Sequence, residues 1–204
     1  MELALLPVIL NNSGTWDQMD SKTTEKLNDL QNTLHRYLFN TPRTTSTIAL
    51  NWDLGSLPME YRVMVNKLTL MHHIVSLSDK ALAKEIYTVQ RDLKFPGLVK
   101  ECSDLCKYLN IPDITDDTVV AQFTKLSWKQ RVKSAVIIKF EELFLKEASS
   151  LSKLKDGPMM HETFERKEYL KQLTLTDRHD FFVIKIAKKL EFFRNYFLVQ
   201  KYML

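Results

Sequence analysis

Asp116 and Asp117 stand side by side in the stretch ITDDTV, two carboxylates within reach of one cation. Adjacent aspartates can hold a divalent metal such as Mg²⁺ through their oxygens. That role wants a tight hairpin between apolar strands. Here Pro112, Asp113, Thr115 and Thr118 flank the pair, so a loop leading into a helix, capped by the aspartates, is the simpler expectation. His72 and His73 lie inside an apolar helical stretch. Neighbours on a helix point about 100° apart, so the two do not easily share a metal. One is expected to be buried and hydrogen-bonded and the other exposed. His35, His161 and His179 have no partner at ligand spacing. Cys102 and Cys106 fall i,i+4 on one helix face, but no C-x2-C pattern accompanies them. They read as reduced core thiols rather than zinc ligands or a bridge. No nucleophile sits in a recognisable setting, and four glycines leave little room for a phosphate-cradling loop.

The basic residues carry more. Lys125, Lys129, Arg131 and Lys133 surround Trp128, with no acid between Gln122 and Phe140. Arg36 and Arg43 flank the elbow at Pro42, Arg62 and Lys67 follow in the next long helix, and Arg166, Lys167 and Lys171 come after a Ser/Lys-rich stretch. Such cations can neutralise phosphates, and a Trp can stack on a base. The alternative is that they are solvated faces around a core Trp128, and the residues alone favour it.

These residues must be positioned by helices. The chain has 204 residues, 45% of them apolar, with a formal charge of +4, four glycines and six prolines. That suits one large or two small domains with long helices and few turns, and a mild basic excess that permits a polyanion without demanding one. The start, MELALLPVIL, lacks a basic leader and is too short to span a bilayer; uncapped and apolar, it reads as the tail of an element whose upstream partner is missing. No membrane association is expected, and a nuclear or cytoplasmic location is.

After a turn at 11–14, Asp20-Ser21 opens a helix whose face is Leu27, Leu30, Leu34, Tyr37 and Leu38, with Lys22, Lys26, His35 and Arg36 mostly elsewhere. A shorter helix spans 44–54 with Gly55 as its cap. Pro58 is expected as the first residue of a helix to Leu77. Ser78 or Asp79 caps the next, to Leu93, and Phe95-Pro96-Gly97 breaks it. Leu98 to Leu109 forms another, Asp116-Asp117 a short one through Phe123, and a capping box at Ser127–Gln130 opens one to Ser149. Residues 151–160 read as a linker, and a last helix carries an Ile186, Leu190, Phe193, Phe197 stripe. The expected fold is all-α: an irregular bundle of about eight helices, with a helical domain at 1–150 and a helical segment at 161–204.

The order of several motifs resembles the region just after the polymerase core in reverse transcriptases of non-LTR (LINE-type) retrotransposons. The residues are Leu27, Leu30-Gln31, the basic elbow Pro42-Arg43-Thr44, Trp52-Asp53-Leu54-Gly55 with Pro58, Tyr61-Arg62 and Leu70-Met71-His72-His73. Upstream, Asn12 and Trp16 are in register, with Gly14 where the family more often has an acid. Downstream, FERKEYLKQL and the helix after it are similar to the stretch before the family's Cys/His zinc knuckle. The resemblance spans most of the chain, loosely between 95 and 160.

It implies a thumb and connector pressing on an RNA–DNA hybrid or structured RNA through sugar-phosphate contacts, with Arg43, Arg62, Lys67 and the Lys125–Lys133 cluster as contacts chosen by charge and position. It further implies a fragment that is not catalytic alone. The palm, with its Mg²⁺-binding aspartates, belongs upstream; the zinc knuckle belongs downstream, and an endonuclease is absent. A domesticated helical module that contacts protein through its apolar elbow is the alternative.

Overall fold

A computed structural model describes residues 9–16, 20–38 and 41–150, together with Phe164. The chain divides into two compact units, Met1–Lys167 and Glu168–Leu204, and every described residue belongs to the first. The expected linker at 151–160, the final helix, and the cations Arg166, Lys167 and Lys171 lie outside the described residues.

Among the described residues the architecture is all-helical, as expected, with seven α-helices and a short 3-10 turn at Ser13–Thr15. In chain order they are α1 (Ser21–Leu38), α2 (Thr47–Asp53), α3 (Met59–Val75), α4 (Leu82–Asp92), α5 (Leu98–Tyr108), α6 (Asp117–Val120) and α7 (Lys125–Ser150).

Asp20 starts α1 by accepting the Thr23 N–H at 2.6 Å, which satisfies a donor the first turn leaves orphaned. At the end of α2, Gly55 adopts φ 58°. Its N–H donates to Trp52 and the N–H of Ser56 to Asn51, the paired bonds of a Schellman cap. Pro58 precedes α3 as its cap rather than as its first helical residue.

Two expected starts shift. Helix α4 begins at Leu82, because Ser78 to Ala81 forms a turn instead. Helix α7 begins at Lys125, because Thr124 is its cap: its Oγ1 accepts the Ser127 N–H at 3.2 Å. Ser127 thus lies inside the first turn and does not open a box of its own.

Helix α3 is the central element. It packs against the 3-10 turn and helices α1, α4, α5, α6 and α7, and α2 rests on α1 and α7. The buried stripe of α3 is Tyr61, Val65, Leu68, Met71 and Val75. At one end of the core Trp52 stacks on Phe144, centroids 4.3 Å apart and planes within 3°, and Phe164 packs on Trp52 and Phe140. Cys102 and Cys106 are fully buried thiols on α5. Burial pushes Cys106 up to about 11 and Cys102 higher still, so neither is a ready thiolate.

Gly14 is buried beneath α3. A Cβ there would come within 3.0 Å of the Asn66 carbonyl oxygen, so the acid more usual at this point of the resembled pattern does not fit this packing.

Candidate nucleic-acid interface

The elbow between α1 and α2 is held by polar groups that the sequence reading placed elsewhere. His35, expected off the apolar face of α1, is completely buried. The row i, i+3, i+4, i+7, i+8 from Leu27 runs through Leu30, Gln31, Leu34 and His35, so two polar residues share the buried stripe. The Nδ1 of His35 lies 3.0 Å from the Asn51 side-chain oxygen, and its Nε2 lies 3.4 Å from the Ser56 hydroxyl. Gln31 donates from Nε2 to the Ser56 Oγ and the Leu57 carbonyl. Asn28 accepts the Met59 N–H at 2.9 Å, capping α3 from across the bundle.

This network includes Arg62. The guanidinium donates through Nε to the Leu57 carbonyl at 2.9 Å and through an Nη to Ser56 Oγ at 2.8 Å. Its plane is therefore set by the turn that carries the Schellman cap. Beside it, α3 and α7 leave a cavity of about 390 Å³. Arg62, Asn66, Lys129 and Lys133 supply the polar lining, and Leu57, Val65, Ile137 and Phe164 are among the apolar wall residues. Lys129 and Lys133 are one turn apart on α7, with Lys125 a turn before them on the same stripe, and all three are exposed. Among the described residues no carboxylate lines the cavity. Three cations on an apolar floor make a site for an anion, and phosphate is the anion that several guanidinium and ammonium groups recognise.

The structure thus brings together Arg62, Lys129 and Lys133, with Lys125 in line. It separates the others. Arg131 sits on another face of α7, its guanidinium 5.5 Å from the Phe123 ring centroid. Arg43 is exposed on the turn before α2 and is not part of the cavity lining. Arg36 is half-buried and donates to the Thr45 carbonyl at 2.9 Å, so it ties the elbow down.

Two expectations are overturned. Lys67 is buried and paired with Glu101 of α5, which keeps it from any phosphate. Trp128 has no exposed surface, and its indole N–H donates to the Leu68 carbonyl at 3.0 Å; it anchors the core, where a base cannot stack on it. The apolar residues of the elbow, Ile48, Leu50, Trp52 and Leu54, are buried too.

The remaining candidates for chemistry resolve as helix punctuation and packing. Asp116 accepts the Thr118 N–H at 2.9 Å and caps α6. Asp117 takes Lys84 on one oxygen and Arg91 on the other. His72 is buried with Nε2 3.0 Å from the Phe123 carbonyl, and His73 is exposed, the split expected of neighbours on a helix. Among the described residues no group of three or more His, Cys, Asp or Glu could hold a metal ion, and no helix is long and apolar enough to cross a membrane. The sequence reading missed Asn66 as a lining residue; no charge or motif marks it, and only its α3 register beside Arg62 could have pointed to it.

No family model, curated protein or solved structure matches this chain.

Proposed function

We propose that the helical unit is a nucleic-acid-binding module that grips the sugar-phosphate backbone of a template–primer duplex, the role the resemblance to a reverse-transcriptase thumb implies. The observation that carries it is the convergence of Arg62, Lys129 and Lys133 on one cavity, with no carboxylate among its described lining residues and Lys125 extending the row. An RNA–DNA hybrid is A-like and is held by shape and backbone rather than by base edges. A row of lysines one helical turn apart suits that task, because each ammonium is a point charge with no sequence preference. Synthesis belongs to a palm with its own Mg²⁺ and carboxylates, and this module holds the substrate for it.

The test is binding to a blunt RNA–DNA hybrid across a salt series. For three phosphate contacts log Kd rises with log salt with a slope of about 2.7. Lys129→Glu and Lys133→Glu should each weaken binding to every sequence alike, and Arg131→Glu, on the other face, should weaken it less. Affinity that ignores salt, or that falls equally with all three reversals, counts against the interface.

A second reading, a helical protein-interaction module, has one observation in its favour. Helix α4 and its C-terminal cap Leu93 leave Leu82, Ile86, Val89 and Leu93 exposed, at spacings of four, three and four. That is a heptad seam, and its fitting occupant is one amphipathic helix of a second protein with the same repeat. Hybrid binding untouched by Ile86→Glu separates this surface from the lysine row.

A further inference from the structure

Helix α4 meets the bundle with its polar side. Lys84 is buried and donates to the Val75 carbonyl and to Asp117. Tyr87 is buried too, and its hydroxyl donates to the Thr115 carbonyl at 2.6 Å. Arg91 reaches the other oxygen of Asp117. These anchors fasten one face of the helix and turn its apolar row outward. Leu82, Ile86, Val89 and, at the C-terminal cap, Leu93 are each at least 50% exposed. A single exposed leucine is ordinary, but a continuous apolar row marks an interaction site.

The flanks of the row define what it fits. With Ile86 and Leu93 at heptad position a and Leu82 and Val89 at d, the g positions are Glu85 and Asp92 and the e positions are Ala83 and Gln90. One flank is acidic and the other uncharged, and no cation occupies the seam or its flanks between Leu82 and Leu93. Both acids are exposed. Asp92 also accepts from Arg91 Nε at 3.3 Å, which leaves Glu85 the more open charge. A second copy of this chain answers the pattern poorly. Antiparallel pairing of two α4 helices sets Glu85 against Asp92 of the second copy, where like charges repel. Parallel pairing sets Glu85 against Gln90, which offers no charge.

We infer that the outer face of α4 is a docking surface for a basic amphipathic helix, which lays an apolar stripe on Leu82, Ile86, Val89 and Leu93 and sets lysine or arginine opposite Glu85 and Asp92. This rests on the protein-interaction reading and deepens it by naming the partner's charge. The apolar row rejects polar helices, the acids reject acidic ones, and the charge contribution weakens with salt.

The experiment uses the full chain and two synthetic helices of about twenty residues, long enough to hold a helix in water. Both carry isoleucine at a and leucine at d. One has lysine at every e and g position and the other has glutamate, so neither pairs with itself. Fluorescence anisotropy of the labelled peptides reads affinity, and sedimentation equilibrium reads the chain alone. The lysine helix is expected to bind at least about tenfold more tightly, the ratio that two exposed attractions in place of two repulsions give. That ratio should shrink as salt rises. Ile86→Gln with Val89→Gln, both at exposed positions, should abolish binding. Glu85→Lys with Asp92→Lys should turn the preference toward the glutamate helix. Far-ultraviolet circular dichroism checks that both variants fold. Equal affinity for the two helices overturns the basic partner and leaves the protein-interaction reading standing. Binding of neither helix, or binding that the glutamine variant keeps, overturns both. A chain that dimerises alone, and whose glutamine variant is monomeric, puts a second copy on the row and overturns the basic partner.

Discussion

Asp117 shows how one side chain can resemble chemistry and serve structure. Its two oxygens are taken by Lys84 at 2.7 Å and Arg91 at 2.6 Å, and Lys84, itself buried, also reaches the Val75 carbonyl at the end of α3. One carboxylate thereby joins α4 and α6 to the central helix. The Lys84 ammonium above all, against some desolvation and with Arg91 adding to it, holds the Asp117 carboxyl below the usual range. A carboxyl whose folded value is depressed binds its proton more readily when unfolded. Its contribution is therefore fully present above the ordinary aspartate range and is lost as pH falls through the folded value. Because Asp117 is half exposed, solvent screens the pair and the contribution is about 1 kcal/mol at most. Asp117→Asn should lower stability by that order at pH 7 and flatten the loss between roughly pH 5 and 2, read by urea denaturation across the range. A mutant that keeps the wild-type acid slope would place the titration elsewhere.

At the scale of elements, the turn from α2 into α3 decides where Arg62 points. Gly55 sits at φ 58°, a left-handed conformation in which a Cβ is strained. Gly55→Ala should cost about 1 kcal/mol of stability. It should also weaken hybrid binding by a further increment, because Ser56, which follows it, holds Arg62. Circular dichroism melts check the first and the binding assay the second, and full retention of affinity would separate the cap from the site. This cap was legible: glycine at the end of a periodic run and proline shortly after is a local signal. So were Leu27, Leu30 and Leu34 as core positions of α1, the capping role of Asp116 and the split between His72 and His73. What escaped reading was long-range pairing. His35 and Lys67 look solvated by type, but they are buried against partners 16 and 34 residues away, and no local pattern announces a partner at that distance. Trp128 took the place its own neighbours favoured over the resemblance: the cations around it are exposed, and its side chain fills the core.

At the scale of the molecule, one apolar cluster runs from Ile48 and Trp52 through α3 to Trp128 and on to Ala148. The lysine row of α7 is presented by the outer face of the same helix whose inner face, Trp128, Val132, Val136, Phe140 and Phe144, fills that cluster. The site therefore cannot be ordered without the core. The two buried indoles test this coupling because they report from different places. Trp52 stacks between aromatic rings of α7 and Phe164; Trp128 lies beside His72 and Phe123. With the half-buried Trp16 replaced by Phe throughout, each can be silenced by a volume-close exchange, Trp52→Phe or Trp128→Phe, which leaves the other as the one indole. For a single cooperative unit, tryptophan fluorescence and backbone circular dichroism give the same denaturant midpoint within each variant, whichever indole remains. The two variants need not share a midpoint, since each loses different contacts. If fluorescence from Trp52 in the Trp128→Phe protein falls at lower denaturant than the helical signal, the α2 end opens first. Arg62 would then lose its anchors while the lysines of α7 stay in place, and binding should fail before the fold does. Coincident transitions instead tie the cation constellation to the global stability of the bundle, so that any core substitution weakens nucleic-acid binding only as far as it unfolds the protein.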